Sequence, residues 1–300
     1  MEIVQAQTKT HWRDFHQLPY RIYKDDPHWV PPLLMERKFH FNPKHNPYFE
    51  HGRAAFWLAY RDGKPVGRIS AQIDQLHLDR HQDKTGQFGF IEAIDDPEVF
   101  SQLLRTAEDW LRAAGLARAT GPISFSMWDE VGLLVEGFDS PPYVMMGHAK
   151  PYFAAHIEAA GYRGAQDLLA YAYDKDMPMP PDALRVLERA EKCGQLRVRN
   201  IRMDKAHLSD EIALILELLN DAWSDNWGFV PMTASESTEF GRILKLLLRP
   251  QDVVIAELGG KPAAFSMMFP NVNEAIRDLG GRLAPFGWAK ILWRLKVRGP

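Results

Sequence analysis

"FWLAYRDGKPVGRIS", Phe56 to Ser70, decides how this chain is built. Apolar positions alternate on both sides of Asp62-Gly63, a pair suited to the positive φ angles of a two-residue turn, so the stretch reads as a β-hairpin. "VVIAELGGKPAAFSM", Val253 to Met267, repeats the phrase with Gly259-Gly260 at the turn, and Lys-Pro follows the turn in both. Gly63 and Gly260 lie 197 positions apart, and Trp29 of "DDPHWVPP" and Trp227 of "SDNWGFVP" lie 198 apart. Two agreeing offsets predict two copies of one structural unit.

The flanks extend the agreement. "EIVQAQT" (Glu2 to Thr8) reads as a strand before a helix from about Thr10, with Trp12, Phe15, Ile22 and Tyr23 on one stripe. "LRVRNIRM" (Leu196 to Met203) reads as a strand before a helix whose Ile212, Ile215, Leu216, Leu219 and Trp223 recur at helical spacing. Ser209 is expected to cap that second helix, with Asp210 and Glu211 complementing its dipole. "TASESTEFGRILKLLLRP" carries a Thr233 to Glu236 capping box and closes before Pro250. Prolines cluster in "DKDMPMPPDA", Asp174 to Ala183, where the copies join. The expected organisation is a first domain over 1–176, a linker and helix over 177–195, and a second domain over 196–300. By the same offset, a second copy as long as the first would end near about 373, so the chain is expected to lack its natural C-terminus or to hold a degenerate half-domain.

Past its hairpin the first copy continues with a strand, "GQFGFIEA" (Gly86 to Ala93), and a helix in "IDDPEVFSQLLRTAEDWLRAAG". Asp96 suits the N-cap, Pro97 the first helical position and Gly115 the stop, while Leu103, Leu104, Ala107, Trp110 and Leu111 form the inner stripe. A strand at "LARATGP" then leads to a long loop, and "KPYFAAHIEAAGYRGAQDLLAYAYDK" (Lys150 to Lys175) reads as a short helix, a turn at Gly161 and a last strand.

Composition narrows the function. With 46% apolar residues the chain can bury a large core, and a net charge of -3 leaves no excess of cations for nucleic acid. The single Cys193 excludes an internal disulfide framework. No run is long and apolar enough to span a bilayer, and "MEIVQAQTKTHW" has no leader character, so a cytoplasmic location is expected.

The order of elements, with "HWVPPL", "GQFGFIEA", "GPISFS", "GLLVEGFDSPP" and "AAGYRGAQDLLAY", resembles a bacterial group of tandem GNAT-like N-acetyltransferases, related in layout to the peptidoglycan aminoacyl transferases. The resemblance covers nearly the whole chain. It implies an α/β fold of α+β type with a mixed sheet, two GNAT-like domains with the second truncated at its C-terminus, acetyl-CoA or another acyl-CoA as co-substrate without a metal, and transfer to a small-molecule or peptide amine.

Against that pattern, the first copy departs in two places. The loop whose glycines would cradle a pyrophosphate reads "EAIDDPEV" here, placing Asp95, Asp96 and Glu98 where an anion would rest. The Asn and the general-acid Tyr of the fold correspond to Lys150 and Ile157. The first copy is therefore expected to bind CoA poorly, with any cofactor-binding loop of the second copy falling beyond residue 300 and the 300-residue chain inactive. The rival reading is a non-catalytic GNAT-fold binding protein; an aminoacyl-tRNA-dependent transferase would want a basic surface that the overall charge does not show.

Glu92 stands on the fourth strand, where many GNAT enzymes keep a general base; between apolar neighbours it reads either as such a base or as a strand-end carboxylate facing water. Trp128, Asp129 and Glu130 in "SMWDEVG", and Trp223, Asn226 and Trp227 in "DAWSDNWGF", join aromatic to polar groups in expected loops and read either as a substrate pocket or as packing anchors. "HLDRH", His77 to His81, sits in a stretch read as polar loop and lacks the glutamate of a zinc helix, so no metal is expected there. His40, His45 and His51 in "HFNPKHNPYFEH" read as an ordered surface loop. The basic terminal stretch "APFGWAKILWRLKVRGP" reads as an amphipathic helix, either a core helix laid bare or one able to touch an anionic membrane.

Overall fold

The computed structural model describes residues 1–174 and 176–298. It divides into two compact units, Met1–Gln166 with the residues from Asn271 onward, and Asp167–Pro270. This differs from the expected boundaries mainly in the last stretch, which joins the first unit. Local bonding explains why: Leu34 N–H donates to Gly281 O at 2.9 Å, and Asn273 Nδ2 donates to Pro142 O at 2.7 Å.

The first unit is built on a five-stranded sheet in the order β1 (Glu2–Gln5), β2 (Gly52–Arg61), β3 (Lys64–Asp74), β4 (Thr85–Ala93) and β5 (Arg118–Thr120). Neighbours from β1 to β4 are antiparallel and β5 runs parallel to β4, so the sheet is mixed. The β2–β3 hairpin closes as its turn residues demand: Asp62 and Gly63 have φ of 51° and 70°, and Arg61 pairs with Lys64.

Helices cover both faces. α1 (Lys9–Ile22) starts at Thr8, whose hydroxyl accepts from His11 N, and buries Phe15 and Leu18. α4 (Pro97–Ala113) begins at Asp96 and Pro97 as expected, and buries Val99, Phe100, Leu103, Leu104, Ala107 and Leu111 against the sheet. Gly67 permits that contact, because a Cβ there would stand 2.7 Å from both Leu103 and Val99 side chains. α5 (Tyr152–Ala159) adds Phe153 and Ile157 to the same core. On the opposite face Phe15, Phe41, Phe56, Phe90 and Phe125 form an aromatic cluster, with the Phe41 and Phe90 rings 4.5 Å apart. α2 (Leu34–His40) leads into Phe41, and α3 (Gln75–His81) follows β3, capped by Asp74. "HLDRH" is thus helical rather than loop, because Asp74 accepts from the N–H groups of Leu76 and His77.

The second unit has a three-stranded antiparallel sheet, β6 (Leu196–Asn200), β7 (Val253–Leu258) and β8 (Lys261–Met267), with α6 (Pro181–Cys193), α7 (Leu208–Trp223) and α8 (Ala234–Leu247). Its core holds Ile201, Ile215, Leu244, Leu248 and Val253. α8 starts with the expected Thr233–Glu236 capping box. α7 does not start where expected: His207 is the N-cap without a side-chain cap, and Ser209 lies inside the first turn.

The last strand expected near "DLLAYAY" is absent. Residues 162–173 form no ladder, and Leu168, Leu169, Tyr171 and Tyr173 are all exposed. Alternation and β-propensity describe a segment suited to a pleated surface, but a strand exists only when another edge accepts its hydrogen bonds, and none does so among the described residues.

Candidate active site

The site starts from an irregularity in β4. Arg68 pairs with Glu92 and Ser70 with Gly89, so Ile69 faces two residues, Phe90 and Ile91, and the strand bulges. Phe90 takes φ of 46°, a region a bulky residue rarely occupies. The extra residue resets the alternation of side chains. Phe88, Ile91 and Ala93 enter the core beneath α4, while Phe90 joins the aromatic cluster beneath α1. Without the bulge Glu92 would share a face with Phe88; with it, Glu92 turns to the α1 side, where Arg68 meets it.

Around Glu92 the groups are tightly enclosed. Arg68 Nη2 lies 3.8 Å from Glu92 Oε1, while its Nη1 donates to Phe15 O at 2.8 Å and its guanidinium stands 4.8 Å from the Phe15 ring centre. Glu92 Oε2 is buried without a hydrogen-bond partner. Burial pushes the Glu92 carboxyl up to about 7, against the pull of Arg68 and the Tyr23 hydroxyl, with the negative charge of Glu130 adding to the rise. Burial also raises Tyr23, which donates to His148 O at 3.2 Å.

A second group of charges comes from α2 and the loop after β5. Ile123 N–H donates to Phe88 O, and Ser124 N–H to Glu130 O, which folds the loop back beside β4 and carries Trp128, Asp129 and Glu130 there. Arg37 of α2 lies 3.4 Å from Glu130 Oε1, and His40 Nε2 lies 3.6 Å from Asp129 Oδ1. Burial lifts Asp129 to about 7, Arg37 opposing and Glu130 assisting. His40 is held neutral, well below its ordinary value, by burial and then by Arg37; His16 falls to about 4 by burial and then Arg68. Two carboxyls poised near neutrality, two neutral imidazoles and two guanidiniums therefore form one electrostatically linked group. It can accept or release protons at physiological pH.

Of the residues singled out in the sequence, Glu92, Trp128, Asp129 and Glu130 belong to this unit. Trp223, Asn226 and Trp227 belong to the other, at the end of α7, where Asn226 N–H donates to Trp223 O at 2.9 Å and both tryptophans are about half exposed. Arg68, Arg37, His40, Tyr23 and His16 went unselected. Arg68 had a signal, a cation at an inward position of an apolar strand, whereas Arg37 and His40 reach the site only through the placement of α2. His40 is thus part of a charged cluster rather than of a surface loop.

The start of α4 does not fit a pyrophosphate. Asp96 Oδ1 already accepts from Glu98 N at 2.9 Å and Val99 N at 3.4 Å, and Arg61 binds Asp96 and Glu98 at 2.8 and 3.3 Å. Asp95 binds His156 at 2.7 Å. Ile157, at the position of the fold's acid, is buried in the core, and Lys150 binds Asp26 at 3.0 Å. Two open clefts of about 650 and 450 Å³, lined by Asp14, Tyr60 and Arg61 and by Asp278, Phe286 and Lys290, do not include Glu92. Among the described residues no three His, Cys, Asp or Glu side chains gather as a metal site, and no helix is long and apolar enough to cross a membrane.

No family model matches the chain. It is 46% identical over 300 residues to the bacterial ceramide synthase of Caulobacter vibrioides (strain NA1000 / CB15N), covering 100% of this chain and 77% of that protein. It is 44% identical over 292 residues to protein YghO of Escherichia coli (strain K12), covering 97% and 74%. Among solved structures, the aminoglycoside 6'-N-acetyltransferase AAC(6')-IG of Acinetobacter haemolyticus superposes with a TM-score of 0.35 and 13% identity, over 59% of this chain and all of the other. Identity of this order along the full 300 residues places the chain in the family that contains the Caulobacter ceramide synthase and YghO.

Proposed function

We propose that this chain is an N-acyltransferase that joins the acyl group of an acyl thioester to the amine of a long-chain amino alcohol, the amide-forming step that makes a ceramide. The observation that carries the reading is Glu92, a buried carboxyl at about 7 with one oxygen unpartnered, on a strand whose bulge turns it to the α1 side beside Arg68. The reaction requires a neutral amine at a pH where amines are protonated, so a carboxylate near neutrality is matched to the task. The amine nitrogen attacks the thioester carbonyl, the C–N bond forms, Glu92 takes the proton from nitrogen, and the C–S bond breaks. The departing thiolate is protonated from solvent, since no side-chain acid stands at Ile157.

Trp128, Asp129 and Glu130 are assigned to the acceptor, the carboxylates receiving its ammonium and hydroxyl groups and the indole its chain. Trp223, Asn226 and Trp227 are given no part. The acyl thioester is read as acyl-CoA by resemblance to the GNAT fold, but its phosphates are not assigned to α4, where Asp96 holds the free N–H groups. The matched turn and bulge of the two hairpins further support descent of both units from one ancestor, the second serving as scaffold.

A binding-only reading is favoured by one observation, the carboxylate-capped start of α4. Incubating the protein with acyl-CoA and a long-chain amino alcohol separates the two. Mass-spectrometric appearance of the amide, lost in Glu92→Gln, supports the enzyme; binding of either substrate without amide supports the binder.

A further inference from the structure

The chain's charge is unevenly placed. Residues 277–298 hold six basic side chains and one acidic one, in a chain whose formal charge is -3. This stretch follows α9 (Val272–Ile276) and forms α10 (Gly287–Trp293), which continues as a wider π-type turn over Arg294–Arg298. On it Phe286, Trp288, Leu292, Trp293 and Val297 are exposed at 76, 56, 48, 52 and 71%. Asp278 gathers Lys290 and Arg294 at 2.6 Å each, which braces α10 while leaving the stretch strongly cationic. Large aromatics beside cations on one short helix suit the boundary between lipid headgroups and acyl chains, where indole rings and basic side chains both reside.

Exposed apolar residues also lie near the bonds that hold this stretch. Leu34, which bonds to Gly281, opens α2, whose Met35 and Phe39 are exposed; Pro142, which bonds to Asn273, precedes exposed Tyr143 and Met145. α2 is also the helix that carries Arg37 and His40 into the candidate site. An apolar, cationic surface is therefore fastened to the element that lines the reacting groups.

We infer that residues 286–297 dock this protein on an anionic lipid bilayer, laying Phe286, Trp288 and Trp293 into the interface so that a membrane-borne acceptor reaches the site without leaving the lipid. The inference rests on the proposed reading of the acceptor as a long-chain amine. Among the described residues no helix is long and apolar enough to cross a membrane.

The full-length protein is tested with vesicles rich in phosphatidylglycerol and with vesicles of phosphatidylcholine alone, in the absence of substrates. Co-sedimentation with the anionic vesicles, weakened by added salt, is expected; Trp288→Ser with Trp293→Ser should reduce partitioning about tenfold or more and abolish quenching by brominated lipid. Circular dichroism and thermal unfolding of the double variant confirm that it is folded. Absence of vesicle binding, or equal binding by the double variant, overturns the inference. So does failure of acrylamide to quench Trp288 and Trp293 in lipid-free protein, which would show the face covered by protein, or a stable dimer that the double variant dissolves. A protein that binds vesicles but forms no amide leaves this inference standing and defeats the proposed reaction; one that forms amide without binding vesicles does the reverse.

Discussion

The two hairpins close alike and are buried differently. In both, the strands shift register at the same place, after Ala59 in one and after Ala256 in the other, and Lys64 and Lys261 occupy the same rung beside the turn. Both turns use paired positive φ, 51° and 70° at Asp62-Gly63 and 58° and 79° at Gly259-Gly260. Yet β3 is almost wholly buried while β8 is mostly exposed. The difference lies in the neighbours: β3 is flanked by β4 and covered by α4, whereas β8 is an edge strand among the described residues. A turn motif thus determines how a hairpin closes, and what the hairpin does is decided by what comes after it. Only the first continues into a strand that carries a buried carboxyl.

The strongest test of that contrast is chemical. Glu92→Gln is expected to lower the amide-forming rate by about a hundredfold or more, and to remove a rise in rate with pH centred near 7 in the intact enzyme. Because burial raises the folded-state value of Glu92, its neutral form is favoured in the fold; the associated stability is complete below the ordinary value of 4.5 and is lost as pH rises through about 7. The Gln variant should therefore unfold at higher denaturant than the parent at pH 8, measured by circular dichroism, while being inactive. Equal activity at all pH values would reduce the first hairpin to scaffold as well.

Packing gives the next largest difference. Gly67 and Ala264 are matching rungs, opposite Ala59 and Ala256. Gly67→Val drives methyl groups into Leu103 and Val99 and should cost about 2–3 kcal/mol, read as faster hydrogen exchange in β2 and β3. Ala264→Val, on an exposed rung, should stay within about 0.5 kcal/mol. Similar costs would mean that β8 is covered in solution.

The second unit has its own buried charge, and it contrasts with Glu92. Glu211, 1% exposed, lies 2.7 Å from Arg199 and 2.6 Å from Arg202, and Arg199 also binds Glu257 at 2.7 Å. Burial opposes its ionisation, but the hydrogen bonds from Arg199 and Arg202 win and hold the carboxyl below its ordinary value. The stability it contributes is present above about pH 4.5 and is lost as pH falls through the lowered value. Glu211→Gln should destabilise the second unit by about 2 kcal/mol at pH 7, with the gap to the parent narrowing in acid. An unchanged gap at low pH would exclude the charge as the cause.

The smallest expected effects test the likeness itself. Gly63→Ala and Gly260→Ala should each cost about 1 kcal/mol, since neither added methyl meets another atom and both backbones sit in the left-handed region. Unequal costs would show that the turns differ in strain despite their shared register.

How much of this the sequence disclosed follows physical lines. Hairpins and α4 were readable because Asp-Gly, Gly-Gly and Asp-Pro act within a few residues. Glu92 was conspicuous as a carboxylate in an apolar strand. The bulge was not, for Phe90 is an ordinary strand residue and nothing local announces its positive φ. Arg37 and His40 become partners of Glu130 and Asp129 only through packing across about ninety positions, beyond any local pattern. The strand expected at Leu168 to Tyr173 failed for the same reason in reverse, its local pattern being sound and its partner missing. Likewise, no short-range rule assigns residues 271–298 to the first unit.

The bulge in β4 makes the chemistry depend on parity. A one-rung slip of β4 beyond Gly89, closing the bulge with no residue lost, would turn the carboxylate at position 92 into the aliphatic layer under α4, whereas loss of Phe90 itself would close the bulge and leave Glu92 opposite Arg68. Two homologues could then share an outline and most of their residues while one had no proton acceptor. The register of this strand deserves more weight than the identity of its residues when activity is inferred across such relatives.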